Sequence, residues 1–260
     1  MINSIIFIPF LGSVLGAVAV FFIKKFDIKI NKILYGISSG IMIAASIFSL
    51  IIPSLNYLEN VGKIKQILPL ICGLPVGFMF MILSEIVTEK LLNRFEITSE
   101  NNNKFKNIKR CILFFIALTI HNIPEGMVVG VGLLDMENIK YVLSLAIGIG
   151  IQNIPEGLIS SIPFKEETGS NKASFRLGVL SGAVEPVFAY ITYICLKGYI
   201  IIVPFLLCFA AGCMLYVVTK ELIPNLNLTE EEKKECNSNI GILSFMVGFL
   251  IMTVLDVVLG

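Results

Sequence analysis

Eight apolar runs of about 20 residues each follow one another along the sequence. They fall at roughly 4–23, 33–55, 67–88, 111–134, 141–163, 177–196, 200–223 and 240–259. A run of that length crosses the ~30 Å hydrocarbon core of a bilayer as a helix, because backbone groups in lipid have to be satisfied within the segment. None of the runs shows the period-two alternation of a barrel strand. The reading is an all-α polytopic membrane protein with eight transmembrane helices, residues 1–260 forming a single transmembrane domain. Composition agrees: 56% hydrophobic against 15% charged residues and a mean hydropathy of +0.87 exclude an ordinary soluble domain. A net charge of +1 provides no field for a nucleic-acid partner, and none is expected.

Charge placement orients the chain. Of the 20 Lys and Arg residues, sixteen lie in the odd-numbered connections between spans and four in the even-numbered ones. By the positive-inside rule the odd connections face the cytoplasm, so both termini are expected outside. The first span is not read as a cleaved signal, although Ala17-Val18-Ala19 resembles a cleavage site. Lys24 and Lys25 follow the apolar run instead of preceding it. Trp is absent, which leaves Tyr35, Tyr57, Tyr141 and Tyr199 as interfacial anchors. The connections 89–110 and 224–239 are polar and read as hydrated cytoplasmic linkers. The six cysteines show no paired spacing in an external loop, and no disulfide framework is expected. Abundant Ile, Lys and Asn suggest an AT-rich bacterial genome, hence the inner membrane as location.

Ionisable side chains inside a span are costly, so each asks for a reason. Glu85, His121, Glu125, Glu156, Glu185 and Asp256 lie within predicted spans, with no Lys or Arg expected beside them. An acidic interior of this kind invites a cation. Glu85 and Asp256 are read as hydrogen-bonded packing residues. The others sit in related strings: IHNIPEG at 120–126, IQNIPEG at 151–157 and GAVEP at 182–186. NIPEG recurs unaltered 31 positions later, and the connection between the two spans is short. The pair therefore runs antiparallel, as an internal repeat of inverted topology.

Spacing gives the chemistry. His121 and Glu125 are four apart, as are Gln152 and Glu156, so each pair shares a helix face. Asn122 and Asn153 stand about 100° further round and offer amide oxygens nearby. Pro124 and Pro155 lack an amide hydrogen, which frees the carbonyls of Ile120 and Ile151 and predicts broken helices. One imidazole, three carboxylates and several amides suit a borderline-to-hard divalent cation such as Zn²⁺, Fe²⁺, Mn²⁺ or Cd²⁺, and disfavour Cu(I).

At these residues the sequence resembles the ZIP (Zrt-, Irt-like protein) family of divalent-metal transporters, in particular its bacterial GufA-like branch. SGAVEP, AAGCMLYVVTKELIP and GFLIMTVLDVVLG extend the likeness over nearly the whole chain. The resemblance implies an inverted 3+2+3 repeat working by alternating access, as a homodimer. It implies a primary metal site of His121, Glu125, Gln152 and Glu156. An adjacent second position would use Asn122, Asn153 and Glu185, bridged by Glu125 and Glu156. Asn153 stands where some members carry Asp, so that position holds less charge here. The 89–110 connection lacks the histidines common in that family's cytoplasmic loop.

The function expected is import of a divalent metal, Zn²⁺ first, with the metal as cargo and no catalytic cofactor. Three carboxylates in a low-dielectric interior cannot all ionise without metal, so binding is expected to release protons. The rival reading is an intramembrane di-metal hydrolase. It lacks HExxH, and the single His121 cannot serve both as ligand and as separate base. An organic-solute carrier would want an intramembrane Arg or Lys, which the spans do not offer.

Overall fold

A computed structural model describes residues 2–22, 27–59, 62–96, 103–134, 139–228 and 239–259. Lys24, Lys25, the acidic-then-basic run of the connection 224–239 and Cys236 lie outside the described residues. The described chain is helical and has no strand. Its elements are α1 (Ile2–Val18), α2 (Ile28–Asn56), α3 (Lys63–Glu96), α4 (Asn103–Gly132), α5 (Ile139–Thr168), α6 (Asn171–Leu196), α7 (Val203–Leu226) and α8 (Ile240–Leu259). Among the described residues six of these, α1 to α3 and α6 to α8, are long and apolar enough to cross a membrane.

Several helices outrun the apolar runs that announced them. α3 continues to Glu96, and α4 begins at Asn103, so the predicted linker 89–110 is helical at both ends. Hydropathy marks where a helix meets lipid, not where its backbone hydrogen bonding stops, and a polar turn can extend a helix into water.

The expected breaks at Pro124 and Pro155 do not occur: α4 and α5 run continuously through both. The break comes in α6 instead, between Asn171–Gly182 and Val184–Leu196. Pro186 deprives the Gly182 carbonyl of its helical donor at that point. α2 carries a π-helical turn at Ala45–Ile51 and α7 one at Val218–Leu222. Such turns insert a residue without ending a helix, and they mark strained or functional places.

The dominant packing is pairwise: α1 with α5, α4 with α6, α2 with α8 and α3 with α7. An inverted repeat relating α1–α3 to α6–α8, and α4 to α5, maps this set onto itself, α1–α5 onto α4–α6 and α2–α8 onto α3–α7. The two π turns fall on α2 and α7, which the same operation relates.

Glycine makes the pairs close. In water-free surroundings helices gain little from burying apolar surface, so backbone approach through small residues drives association. A Cβ on Gly36 or Gly40 would strike α8 near Gly241 and Phe245, and one on Gly73 or Gly77 would strike α7 near Phe205 and Phe209. A Cβ on Gly12 or Gly16 would strike α5 near Gly150 and Ile154. In every pair the numbering advances in step, so all four are parallel.

These pairs assemble into two groups, α1/α4/α5/α6 and α2/α3/α7/α8, which meet mainly where α2 packs on α5 and α4 on α7. α2 and α7 are the most buried of the six span-length helices, α3 and α8 the least. Ser54 reinforces the second group by donating to the Pro204 carbonyl at 2.8 Å. The buried Lys32 donates to the Asn225 and Asn227 carbonyls past the π turn of α7.

Because Gly77 has the Phe209 carbonyl against it, Gly77→Val is expected to overpack the α3–α7 contact by about 1–3 kcal/mol or more. A thermal melt of the detergent-purified protein checks this, against Gly198→Val as control. Gly198 has open space around it, though its φ of 98° disfavours a side chain and sets a smaller, purely local cost.

Candidate metal centre

The two NIPEG strings place their side chains through the antiparallel crossing of α4 and α5. His121 and Glu125 face inward from successive turns of α4, and Gln152 and Glu156 do the same from α5. The closing glycines set how near the neighbours come. A Cβ on Gly126 would meet the backbone of Glu185 in α6, and one on Gly157 would meet the backbone of Ser13 in α1. The same motif thus brings α4 against α6 and α5 against α1, and it gathers four helices around one point.

Ligand atoms of His121, Glu125 and Glu156 all lie within 4.8 Å of one another. His121 Nε2 is 3.6 Å from Glu125 Oε1 and 3.8 Å from Glu156 Oε2, beyond hydrogen-bond reach in both cases. Gln152 Nε2 bridges the carboxylates, donating to Glu125 Oε1 at 2.7 Å and to Glu156 Oε1 at 3.3 Å. The sequence-predicted primary residues therefore meet, and the glutamates turn away from lipid. Glu125 is 1% exposed, Gln152 fully buried.

A second cluster adjoins them. Asn153 Nδ2 donates to Glu185 Oε2 at 2.8 Å, and Ser13 Oγ donates to Glu185 Oε1 at 2.8 Å. Asn153 Nδ2 also reaches the Pro9 carbonyl at 3.2 Å, while Asn122 Nδ2 donates to the Ser181 carbonyl at 3.0 Å. Glu185 thus has a protein donor on each oxygen, whereas the primary cluster leaves lone pairs open. His121 Nε2, Glu125 Oε2, Gln152 Oε1 and Asn153 Oδ1 are buried without a hydrogen-bond partner among the described residues. Buried polar atoms are almost always paired, and four such atoms, three in the primary cluster and one on the adjoining Asn153, match the donor set of a bound cation.

Sequence reading missed Ser13. Its one signal was position: with Gly12 and Gly16 it lies on the small-residue face of α1 that touches α5. The methionines Met42, Met81 and Met214, which with Cys213 line a crevice beside His121 and Glu125, also went unnoticed. Nothing in a uniformly apolar span tells which Met faces inward.

The remaining span carboxylates lie elsewhere. Asp256 accepts from Ser49 Oγ at 2.8 Å, at the far end of α8. Glu85 accepts from Tyr216 and Lys220, and Lys220 Nζ sits 5.4 Å from the Tyr216 ring centroid. This corrects the expectation that no basic residue pairs with a span carboxylate. Lys220 stands one turn beyond Tyr216 in α7, opposite Glu85 in α3, and both members of the ion pair are exposed.

The model of the ZIP zinc transporter family matches residues 97–256. The zinc transporter ZupT of Lysinibacillus sphaericus is 31% identical over 255 residues, covering 94% of this chain and 94% of its own. The zinc transporter GufA of Myxococcus xanthus is 29% identical over 248 residues, 95% of this chain and 94% of its own. The zinc transporter ZIP11 of Xenopus tropicalis is 40% identical over 158 residues, 58% of this chain, which spans only 45% of that relative's length. These relatives are named as transporters and not as enzymes, which sets the hydrolase reading aside. The chain is a multi-pass membrane protein of the ZIP family of zinc transporters.

Proposed function

We propose that this chain carries divalent metal, Zn²⁺ first, into the cytoplasm by alternating access, with His121, Glu125, Gln152 and Glu156 as the primary stop. The observation that carries the reading is the convergence of an imidazole and two carboxylates in the protein interior, with lone pairs left open. Glu125 and Glu156 supply two negative charges for one dication, and Gln152 and His121 add neutral donors.

The two helix groups support the alternating-access reading. α4 and α5 carry the site and belong to one group; α2 and α7, which face them, belong to the other. Sliding one group along the seam would expose the same ligands first to one side and then to the other. A divalent ion entering a negative interior gains on the order of 4.6 kcal/mol per 100 mV, so import is the downhill direction. Both termini outside, an inner-membrane location and a homodimer complete the proposal.

The second position, with Asn122, Asn153 and Glu185, is proposed to hold metal weakly in this chain. Glu185 is already engaged by Ser13 and Asn153, and an ion there would have to displace those donors. Glu185 then serves chiefly to keep α1, α5 and α6 together around the primary site.

Three outcomes are expected. In liposomes containing the purified protein, Glu125→Ala and Glu156→Ala should each lower Zn²⁺ flux at least tenfold; flux equal to the parent protein's would reject the site. Because carboxylate and imidazole ligands bind metal only when deprotonated, Zn²⁺ affinity should fall as pH falls, with protons released on binding near neutrality. Calorimetry in buffers of differing ionisation enthalpy measures both. Asn153→Asp replaces a donor by an acceptor facing Glu185, so the metal-free protein should lose about 1–3 kcal/mol of stability. Its Zn²⁺ stoichiometry should rise toward two, as read by equilibrium dialysis.

A further inference from the structure

Near its start, α5 reaches across the seam between the two helix groups with two hydrogen bonds. Tyr141 Oη donates to the Ser49 carbonyl of α2 at 2.6 Å, and Ser144 Oγ donates to the Leu255 carbonyl of α8 at 3.2 Å. Ser49 gives its own hydroxyl to Asp256 Oδ1 at 2.8 Å, which ties α2 to α8 at the same place. Three helices thus share one junction, with α5 on one side of the seam and the α2–α8 pair on the other. Tyr141, expected as an interfacial anchor, gives its hydroxyl to the protein instead. Ser49 and Ser144 are each 1% exposed, so both bonds are made away from water.

The sequence explains why the Ser49 carbonyl needs a donor from outside its helix. In an α-helix that donor would be the amide of residue 53, and residue 53 is Pro, which has none. The π-helical turn Ala45–Ile51 carries Ser49 at this point. The Tyr141 phenol takes the missing amide's place. Withdrawing it removes a partner from a buried carbonyl, a loss larger than the net contribution of an ordinary hydrogen bond.

The bonds also lie in line with the metal cluster. Tyr141, Ser144 and Gly148 follow at i, i+3 and i+7 along α5, and Gln152 comes eleven residues after Tyr141, on the same face. One stripe of α5 therefore carries the junction at its end and a metal-site residue about 16 Å further along. Between them, a Cβ on Gly148 would meet only the flexible side chain of Met252. Apolar contact of that kind can slip by small repacking, whereas a hydrogen bond holds a single register, because it weakens steeply with distance and angle.

We propose that the Tyr141–Ser49 and Ser144–Leu255 bonds form a latch that fixes the two helix groups in the register seen here and breaks each time α5 slides along the seam. The inference rests on the alternating-access reading above and goes beyond it by naming the contacts that hold one end of the seam together. In the orientation proposed for the chain this is the outer end, so the latch keeps the metal cluster closed to the outside.

Hydrogen–deuterium exchange of the metal-free, detergent-purified protein tests the latch without metal flux. Tyr141→Phe removes one hydroxyl and keeps the ring. Peptides covering 139–150 of α5 and 45–56 of α2 are expected to exchange at least threefold faster, while peptides covering 70–80 of α3 and 205–215 of α7 keep the parent rate. Equal exchange in parent and variant, or a uniform rise throughout the chain, overturns the proposal. Tyr199→Phe is the control, since Tyr199 is 66% exposed, and it is expected to change neither region. In cells lacking their own zinc importers, Tyr141→Phe should lower the Zn²⁺ concentration for half-maximal uptake at least twofold, because metal from outside binds only the unlatched register. An unchanged or higher value counts against the latch. Absence of uptake in the parent protein would remove the transport reading, and the exchange comparison would still decide whether these bonds hold the groups. Should Tyr141→Phe fail to fold, Ser144→Ala is read in the same way on 139–150 and on the end of α8.

Discussion

Carboxylates inside a membrane protein have to be compensated by something, and in this chain the compensation cannot come from a neighbouring cation. Glu125, Glu156 and Glu185 are gathered within one small region, with a single imidazole for company. Lys220, which does pair with a span carboxylate, is engaged at Glu85. Amide and hydroxyl donors from Gln152, Asn153 and Ser13 take up part of the deficit. What they leave is a set of open lone pairs on the residues that a dication would need. Under the proposed transport, structure and cargo would be two halves of one electrostatic arrangement, in which the ion supplies the charge that the fold withholds.

Holding such a cluster together calls for closeness that ordinary side chains forbid. The glycine ending each NIPEG string lets α4 touch Glu185 and α5 touch Ser13, and those two residues then hydrogen-bond to each other. The motif is thus a packing device as much as a ligand set. Its proline and glutamate set the chemistry, and its glycine sets the distance. The same logic governs the α2–α8 and α3–α7 contacts, where glycines again bring backbones together without any ligand nearby.

Much of this was readable in the sequence because membranes simplify the physics. Hydropathy located eight helices, and the duplicated IHNIPEG and IQNIPEG strings pointed to the side chains that converge between α4 and α5. What escaped reading did so for identifiable reasons. The prolines at 124 and 155 free a carbonyl, yet the flanking turns keep their geometry, so the helix passes through unbroken. Lys220 was counted as a loop residue, although α7 continues past it and delivers it to Glu85. Ser13, Met81 and Met214 carry no periodic signal, because a helix surrounded by lipid and protein alike is apolar on every face.

The four parallel pairs have a consequence for how the protein is made. α1 finds its partner in α5, α2 in α8 and α3 in α7, so each of the helices synthesised first is completed only by one from the second half of the chain. No early group of helices is self-sufficient, and the two halves of the polypeptide interleave instead of docking as finished units. Assembly is accordingly dominated by contacts remote along the chain. The first helix has to remain laterally unsatisfied in the bilayer until the fifth has been made, the third until the seventh, and the second until the eighth.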